Sequence, residues 1–190
     1  MKRVLVFGDT HIPARRDSIP ESFDRRIRSG KYDLALVTGD LVKEKAMRSV
    51  MPPLPECHIV QGNMDLESRR NHHEELTIEE LRFLLIHGTQ LSPRGNIDQL
   101  SEIASKVEAD VSIHGHTHEP SVELFQGRLF LNPGTISGAT GGWGGRKDAS
   151  FMEMEVAGTQ LVVSLFLSDW SSEMESRTRY SKIQGQMIAL

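Results

Sequence analysis

Five short apolar runs, each followed by a polar segment that contains a glycine, constrain the fold of this chain more than any other feature. The runs cover residues 4–7, 34–37, 58–60, 82–86 and 109–114. Short continuous apolar runs bounded by turn residues are typical of β-strands buried on both faces. Because parallel strands of this kind end at one edge of a sheet, we expect the polar segments after them to lie together.

Helical patterns separate several of these strands. Residues 97–107 place apolar side chains at 97, 100, 103, 104 and 107, which is the spacing of an amphipathic helix. A second helix is predicted after Pro20, with Phe23 and Ile27 at helical spacing and an end at Gly30, and a third over residues 41–50. Residues 66–75 are polar and are predicted to form a loop.

The chain beyond residue 120 contains only strand-like pieces, at 122–125, 129–131, 151–156 and 161–167. The predicted fold class is therefore α/β, as a four-layer α-β-β-α sandwich of two mixed β-sheets with helices outside. We expect one domain over residues 1–167. The remaining residues, 168–190, are predicted to be a polar C-terminal tail, amphipathic at most, to which the sequence assigns no role.

Composition limits the partners of the chain. With 190 residues, 38% hydrophobic and 25% charged content and a net charge of −4, it has no basic stripe that would indicate a nucleic-acid or membrane surface. The single cysteine, Cys57, excludes an internal disulfide and favours a small core residue in a reducing, cytoplasmic compartment. The N-terminal apolar run is too short for a signal peptide, and no run is long enough for a membrane span.

Each of the five polar segments offers side chains that bind metal ions. In chain order these side chains are Asp9 and His11, Asp40, Asn63, His87, and His116 with His118. Any one segment is weak evidence, but five at successive strand ends predict one shared cleft. Carboxylate, amide and imidazole donors without a thiolate suit Mn²⁺, Fe, Co²⁺ or Zn²⁺ rather than a cysteine-based zinc site.

The segment Gly115-His116-Thr117-His118 is the most specific of the five. In an extended backbone His116 and His118 would point to the same side, and Gly115 would let the chain turn without a Cβ penalty. The alternative is that they form a polar face of a strand. Because the other histidines, such as His58 and His114, lie within strands, they are predicted to be hydrogen-bonded residues of the interior.

The order D-x-H, G-D, G-N, H and G-H-x-H resembles that of the calcineurin-like metallophosphoesterase superfamily. The similarity is to its small single-domain phosphodiesterases and to the metallophosphoesterase-fold subunit of the retromer coat. It is carried by the segments at residues 8–13, 85–88, 115–118 and 132–135, and it spans roughly residues 2–167.

The resemblance implies a binuclear metal centre and a ligand set for each ion. One ion would be held by Asp9, His11, Asp40 and His118, and the second by Asp40, Asn63, His87 and His116. A water or hydroxide shared by the ions would attack phosphorus in a phosphodiester substrate. The implied ions are two divalent cations, with Mn²⁺ favoured over Zn²⁺, Fe, Co²⁺ or Ni²⁺.

The residues after Asn63 depart from the usual pattern of the superfamily. Many members read G-N-H-[DE], with the histidine as a candidate general acid, whereas this chain has Met64. We therefore expect aryl phosphodiesters to be better substrates than alkyl monoesters unless His72 or His73 supplies the proton. Asp65 is expected to orient a ligand, and Asn63 and Asp65 are the predicted catalytic residues. An Asp65 that only caps the following turn is the alternative.

Residues 138–147 form a glycine-rich segment that ends in Arg146 and Lys147. A phosphate-binding P-loop needs glycine directly before lysine and then serine or threonine, but Arg146 and Asp148 stand at those positions. We interpret the segment as a mobile loop beside the cleft whose cations meet substrate phosphate.

Two functional classes remain open at this point. The first is a metal-dependent phosphodiesterase, and the second is a retromer-subunit-like scaffold that binds a helical protein partner with weak or no catalysis. Retromer subunits commonly have substitutions in the G-D or G-N segments, whereas this chain has Asp40 and Asn63 there, which favours the enzyme. A nuclease is a weaker third interpretation, because no basic track for a duplex is evident.

Overall fold

The computed structural model describes residues 1–66, 69–142 and 144–190. Positions 67, 68 and 143, which fall in the loops predicted at 66–75 and 138–147, lie outside the described residues. The strands are β1 (Lys2–Phe7), β2 (Leu34–Val37), β3 (Glu56–Ile59), β4 (His73–Ile78), β5 (Leu81–Ile86), β6 (Val111–Ile113), β7 (Ser121–Phe125), β8 (Arg128–Asn132), β9 (Ala149–Ala157), β10 (Gln160–Ser168), β11 (Glu173–Ile183) and β12 (Gln186–Ala189). The helices are α1 (Glu21–Ser29), α2 (Glu44–Val50) and α3 (Ile97–Lys106).

These strands form two mixed sheets. The first has the order β12-β11-β10-β9-β1-β2-β3, and the second has the order β4-β5-β6-β8-β7. Strands β1, β2 and β3 are parallel, as are β5, β6 and β8, so the polar segments that follow them emerge at the sheet edges predicted from the sequence.

Three apolar clusters set the layers. Val4, Leu36, Phe83 and Met154 belong to the cluster between the two sheets. The opposite face of the first sheet packs on α1 and α2, where Phe23 contacts Phe151 with ring centroids 4.7 Å apart. The outer face of the second sheet packs on α3. The predicted four-layer α-β-β-α sandwich is confirmed.

Two segments that lack a strong apolar pattern form strands. The loop predicted over residues 66–75 ends earlier than expected, because β4 begins at His73. This edge strand alternates between exposed and more buried side chains. Residues 168–190 contain β11 and β12, and β11 pairs with β10 from Glu173 to Ser181. Tyr180 and Met187 are their contributions to the apolar cluster between the sheets, and most of the other β11 side chains are exposed.

Helix α2 begins later than predicted, at Glu44 rather than at residue 41. The N–H groups of Leu41 and Val42 donate to the Asp65 carboxylate instead of entering a helical turn, and Val42 has a φ of 68°. Among the described residues, no helix is long and apolar enough to cross a membrane. Cys57 is a free, half-buried thiol packed against the cluster beneath α1 and α2.

Candidate metal centre

The structure brings the predicted ligands together as two neighbouring groups that share Asp40. Ligand atoms of Asp9, His11, Asp40 and His118 lie within 4.8 Å of one another, and so do those of Asp40, His87 and His116. All of these side chains are buried. Asn63 is exposed and adjoins the second group, with Oδ1 3.2 Å from His87 Nε2.

The first group is built around two imidazoles that face each other. His11 Nε2 lies 3.2 Å from His118 Nε2 and 3.4 Å from Asp40 Oδ2. His118 Nε2 lies 3.4 Å from Asp9 Oδ1, a buried oxygen that has no hydrogen-bond partner among the described residues. Several electron-pair donors therefore point at one small volume.

The second group has the same character. His87 Nε2 lies 3.6 Å from Asp40 Oδ1, and the rings of His87 and His116 lie 5.0 Å apart between centroids. The N–H of His116 donates to Asp9 Oδ2 over 3.1 Å, which ties the second group to the first. Asp40 offers Oδ2 to the first group and Oδ1 to the second, as a bridging carboxylate would.

Two backbone carbonyls fix which imidazole nitrogen is available to a cation. His87 Nδ1 lies 2.7 Å from the carbonyl oxygen of Thr38, and His118 Nδ1 lies 2.7 Å from that of Ala139. A carbonyl oxygen only accepts, so each Nδ1 carries the proton and each Nε2 presents a lone pair to the centre.

This arrangement fits divalent cations. With Nε2 of His87 unprotonated, its 3.2 Å approach to Asn63 Oδ1 sets two acceptors against each other. Asp9 in its carboxylate form would set Oδ1 against His118 Nε2 in the same way. Acceptor atoms at such distances repel unless a positive charge lies between them, and oxygen with imidazole donors suits Mn²⁺, Zn²⁺, Fe or Co²⁺.

The protein alone disfavours charge in the centre. Burial raises the pKa of Asp9 and of Asp40 above the usual range. Burial, with neighbouring positive groups, lowers the pKa of His11 to about 3 and that of His116 to about 4. A bound cation would favour the anionic form of both carboxylates, and the neutral imidazoles of His11 and His116 are in the form that coordinates metal.

Five of the ligand residues have a left-handed backbone conformation, which few non-glycine residues adopt. Their φ values are 46° for Asp9, 47° for His11, 54° for Asp40, 72° for His116 and 61° for His118. Such conformations cost on the order of 1–3 kcal/mol each and persist where the surrounding structure enforces them. Their concentration here indicates a functional site.

The expectation that His116 and His118 share an extended backbone is wrong, because both residues have a positive φ. Their rings still enter the same cleft, one against His87 and the other against His11. Gly115 does not supply a positive φ either. It supplies space, since a Cβ there would lie 2.7 Å from Asp9 Oδ2.

Asp65 supports Asp40 from outside the ligand set. Its carboxylate accepts four backbone N–H groups, from Asp40, Leu41, Val42 and Gly62, over 2.7–2.9 Å. It therefore holds the loop that carries Asp40 rather than capping only its own turn. Gly62 allows the loops to approach, because a Cβ there would lie 2.1 Å from Asp40 Oδ1.

Sequence reasoning missed the groups that act through the backbone or through hydroxyls. The carbonyls of Thr38 and Ala139 orient two imidazoles, and Thr135 Oγ1 donates to the carbonyl of Asp9 over 2.8 Å. Of these groups, only Thr135 could have been noticed in the sequence, because it belongs to residues 132–135, one of the segments that carry the resemblance to the superfamily. The other histidines pair elsewhere, with His58 Nδ1 2.9 Å from Glu74 Oε2 and His114 buried beside Asn132.

Comparison with known proteins agrees with this geometry. Residues 1–157 match the model of the calcineurin-like phosphoesterase superfamily domain. A probable metallophosphoesterase of Methanothermobacter thermautotrophicus is 39% identical over 135 residues, which cover 68% of this chain and 74% of that protein.

Solved structures of Vps29 from Entamoeba histolytica share the fold. A single mutant superposes with a TM-score of 0.86 at 30% identity, over 94% of this chain and 99% of that one. The wild-type protein complexed with Zn²⁺ superposes with a TM-score of 0.82 at 30% identity, over 93% and 98% of the two chains.

Proposed function

Because this chain belongs to the calcineurin-like phosphoesterase superfamily, we propose that it is a metal-dependent phosphodiesterase with a binuclear centre in which Asp40 lies between two divalent ions. The observation that carries the proposal is the pair of buried ligand groups sharing Asp40. In each group an imidazole Nε2 and an oxygen atom lie 3.2–3.4 Å apart, close enough to coordinate one cation together.

Each side chain would have a role in binding the ions that follows from its position. Asp9, His11, Asp40 and His118 would hold one ion, and Asp40, Asn63, His87 and His116 the other. Asn63, being exposed, would also meet the substrate phosphate, and Asp65 would keep Asp40 in place through its four backbone contacts. The Thr38 and Ala139 carbonyls keep the Nε2 lone pairs of His87 and His118 aimed inward.

Two divalent ions bound there would supply positive charge for the phosphate oxygens and a water acidic enough to attack phosphorus near neutral pH. The chain itself buries the aspartate and histidine ligands and holds them before substrate arrives, so little reorganisation is needed during reaction. A small phosphodiester is the substrate class, and Mn²⁺ is the ion we favour, with Zn²⁺ as the main competitor. We place the reaction in the cytoplasm, where the free thiol of Cys57 would stay reduced.

The test joins metal analysis to hydrolysis of bis-p-nitrophenyl phosphate, with and without Mn²⁺, on the wild type and on Asp40→Asn. We expect two ions per chain and Mn²⁺-dependent turnover in the wild type, with both lost or greatly reduced in Asp40→Asn. Asp17→Asn is the matched control, because the Asp17 carboxylate accepts from the hydroxyl of Ser18 and belongs to neither ligand group. Two bound ions without turnover above Asp40→Asn would reject the enzyme.

That last outcome would favour a second candidate, a protein-binding scaffold that retains metal. The extended similarity to Vps29, over more than nine-tenths of both chains, supports this candidate. The two candidates differ in turnover and not in metal content, so the same experiment separates them.

A further inference from the structure

Two arginine side chains lie over the indole ring of Trp170. The Cζ atom of Arg146 is 4.2 Å from the ring centroid and that of Arg16 is 5.4 Å away. Within residues 1–66, 69–142 and 144–190, neither guanidinium pairs with a carboxylate. Two positively charged groups therefore lie within cation–π distance of the same ring, and neither has a carboxylate partner among the described residues.

Trp170 is held rigidly in that position. Its Nε1–H donates to the carbonyl of Lys147 over 3.1 Å, and its backbone N–H donates to Ser168 Oγ over 3.1 Å. The residue has a φ of 75°, a strained value for a bulky side chain. The ring is therefore a fixed platform on which the flat faces of the guanidinium groups can rest.

Two carboxylates that adjoin the cluster in the sequence, those of Asp169 and Asp17, accept hydrogen bonds from neighbouring serines. Asp169 Oδ1 accepts from the N–H and hydroxyl groups of Ser171 and Ser172 over 2.7–3.1 Å, and Asp17 accepts from Ser18. The Nε–H of Arg16 is buried and has no hydrogen-bond partner in the described part of the chain. The cluster formed by Arg16, Arg146 and Trp170 thus carries positive charge that an anion would balance.

The same cluster adjoins the metal centre. The segment that carries Arg16 is tied to His11, because the N–H of Arg15 donates to the His11 carbonyl over 2.8 Å. The segment that carries Arg146 is tied to His118, because Lys147 Nζ donates to the His118 carbonyl over 2.7 Å. Both arginines therefore belong to segments that are hydrogen-bonded to the backbone of the His11 and His118 half of the centre.

We propose that Arg16 and Arg146, positioned on Trp170, bind a second phosphate group of the substrate. The substrate class is then phosphoesters that carry two separated phosphate groups, one at the metal centre and one on the arginines. A guanidinium group held over an aromatic ring can still present its N–H groups for the bidentate contacts that phosphate favours. The inference rests on the proposed phosphoesterase function, and it gives the segment after residue 168 a role in substrate selection.

The experiment uses straight-chain alkanediol bisphosphates of increasing length, each compared with the monophosphate of the same diol. Binding to the Mn²⁺-loaded protein is measured by calorimetry, and inhibition of bis-p-nitrophenyl phosphate hydrolysis is measured in parallel. At the spacer length that joins the two sites, we expect the bisphosphate to bind about tenfold more tightly than the monophosphate.

Arg16→Gln and Arg146→Gln should each bring the ratio of the two dissociation constants close to one. Arg25→Gln removes an exposed arginine of α1 that lies 4.0 Å from Glu21, and it should keep the wild-type ratio. Thermal unfolding of all variants shows whether each is folded.

The inference is overturned if the bisphosphate binds no more tightly than the monophosphate at any spacer length. It is also overturned if the Arg16→Gln/Arg146→Gln double variant still binds the bisphosphate more tightly. Turnover of bis-p-nitrophenyl phosphate by the wild type decides the proposed function separately. An active enzyme without a bisphosphate preference would therefore reject only the arginine site. An inactive protein that prefers bisphosphates, with the preference lost in the variants, would keep the anion site and reject the enzyme.

Discussion

The Asp65 carboxylate accepts the backbone N–H of Asp40 over 2.8 Å, so one buried acid sets the position of another. Asp65 also receives the N–H groups of Leu41, Val42 and Gly62. Because Asp40 contributes one oxygen to each ligand group, the geometry of both groups depends on this contact.

Asp65→Asn is expected to weaken metal binding without removing any ligand. The amide would keep one acceptor oxygen and turn an NH₂ group toward backbone donors, leaving buried N–H groups unpaired at a cost of about 1–3 kcal/mol in unfolding free energy. Loss of such a support typically reduces metal affinity about 10–100-fold. Titration of the metal-free protein with Mn²⁺ measures this change, and excess Mn²⁺ should restore much of the activity. An unchanged affinity would show that these contacts do not control metal binding.

His116→Ala and His118→Ala should each reduce the metal content by half. The two imidazoles lie in different ligand groups, against His87 and His11 respectively, so each loss empties one site and leaves the other. Elemental analysis after dialysis gives about one ion per chain for either variant against two for the wild type. Complete loss of metal in either single variant would mean that the two sites form only together.

The metal-free protein should lose stability in acid through His114. This imidazole is buried, and burial lowers its pKa to about 4 from an ordinary 6.5. The unfolded chain therefore binds the proton more readily, so the stabilising effect of neutral His114 is complete above pH 6.5 and is lost as the pH falls toward 4. At pH 5 the loss amounts to about 2 kcal/mol.

His114→Leu removes this titration and keeps an apolar side chain in the space. Asn132 Nδ2, which contacts His114 Nδ1, would keep its bonds to the Gly115 carbonyl and Thr117 Oγ1. Urea unfolding in EDTA at pH 7.5 and pH 5 should show a smaller drop for the variant than for the wild type. His11 and His116 add to the acid sensitivity, and Asp9 and Asp40 oppose it, but these groups are common to both proteins. Equal drops would contradict the assignment.

The sequence predicted the parts of the fold that are governed by burial. A short apolar run such as residues 34–37 predicts a strand buried between two layers. The ligands that follow such strands lie close together, because parallel strands end at the same edge of the sheet. Strand β11 was not predicted, because most of its side chains are polar and exposed. It pairs with β10 through backbone hydrogen bonds, which do not depend on those side chains.

The finer geometry of the centre was also beyond the sequence. The positive φ of His116 arises from the close packing of several loops, and the carbonyls of Thr38 and Ala139 act through atoms that every residue has. Asp65 was assigned to a supporting role, but the four donors that converge on it come from two separate loops. Such contacts appear only when the loops are brought together in the folded chain.

Met64 stands directly after Asn63, where the superfamily pattern G-N-H-[DE] has a histidine. Its backbone N–H donates to Asp40 Oδ1 over 2.7 Å, so the position is fixed beside the ligands while the thioether has no proton to give. An aryl leaving group departs without protonation, whereas an alkoxide needs a proton in the transition state. We therefore expect bis-p-nitrophenyl phosphate to be hydrolysed much faster than alkyl monoesters.

Met64→His should improve the alkyl substrates selectively. A general acid typically contributes on the order of 10²-fold or more where the leaving group is poor, and little where it is good. Paired steady-state rates on the aryl diester and an alkyl monoester give the ratio, and Met64→Leu, which adds no proton donor, should leave that ratio at the wild-type value. If the wild type already hydrolyses both substrates equally well, another residue supplies the proton. The exposed His73 would then be the first candidate to replace, and a rise in the aryl preference of His73→Gln would identify it.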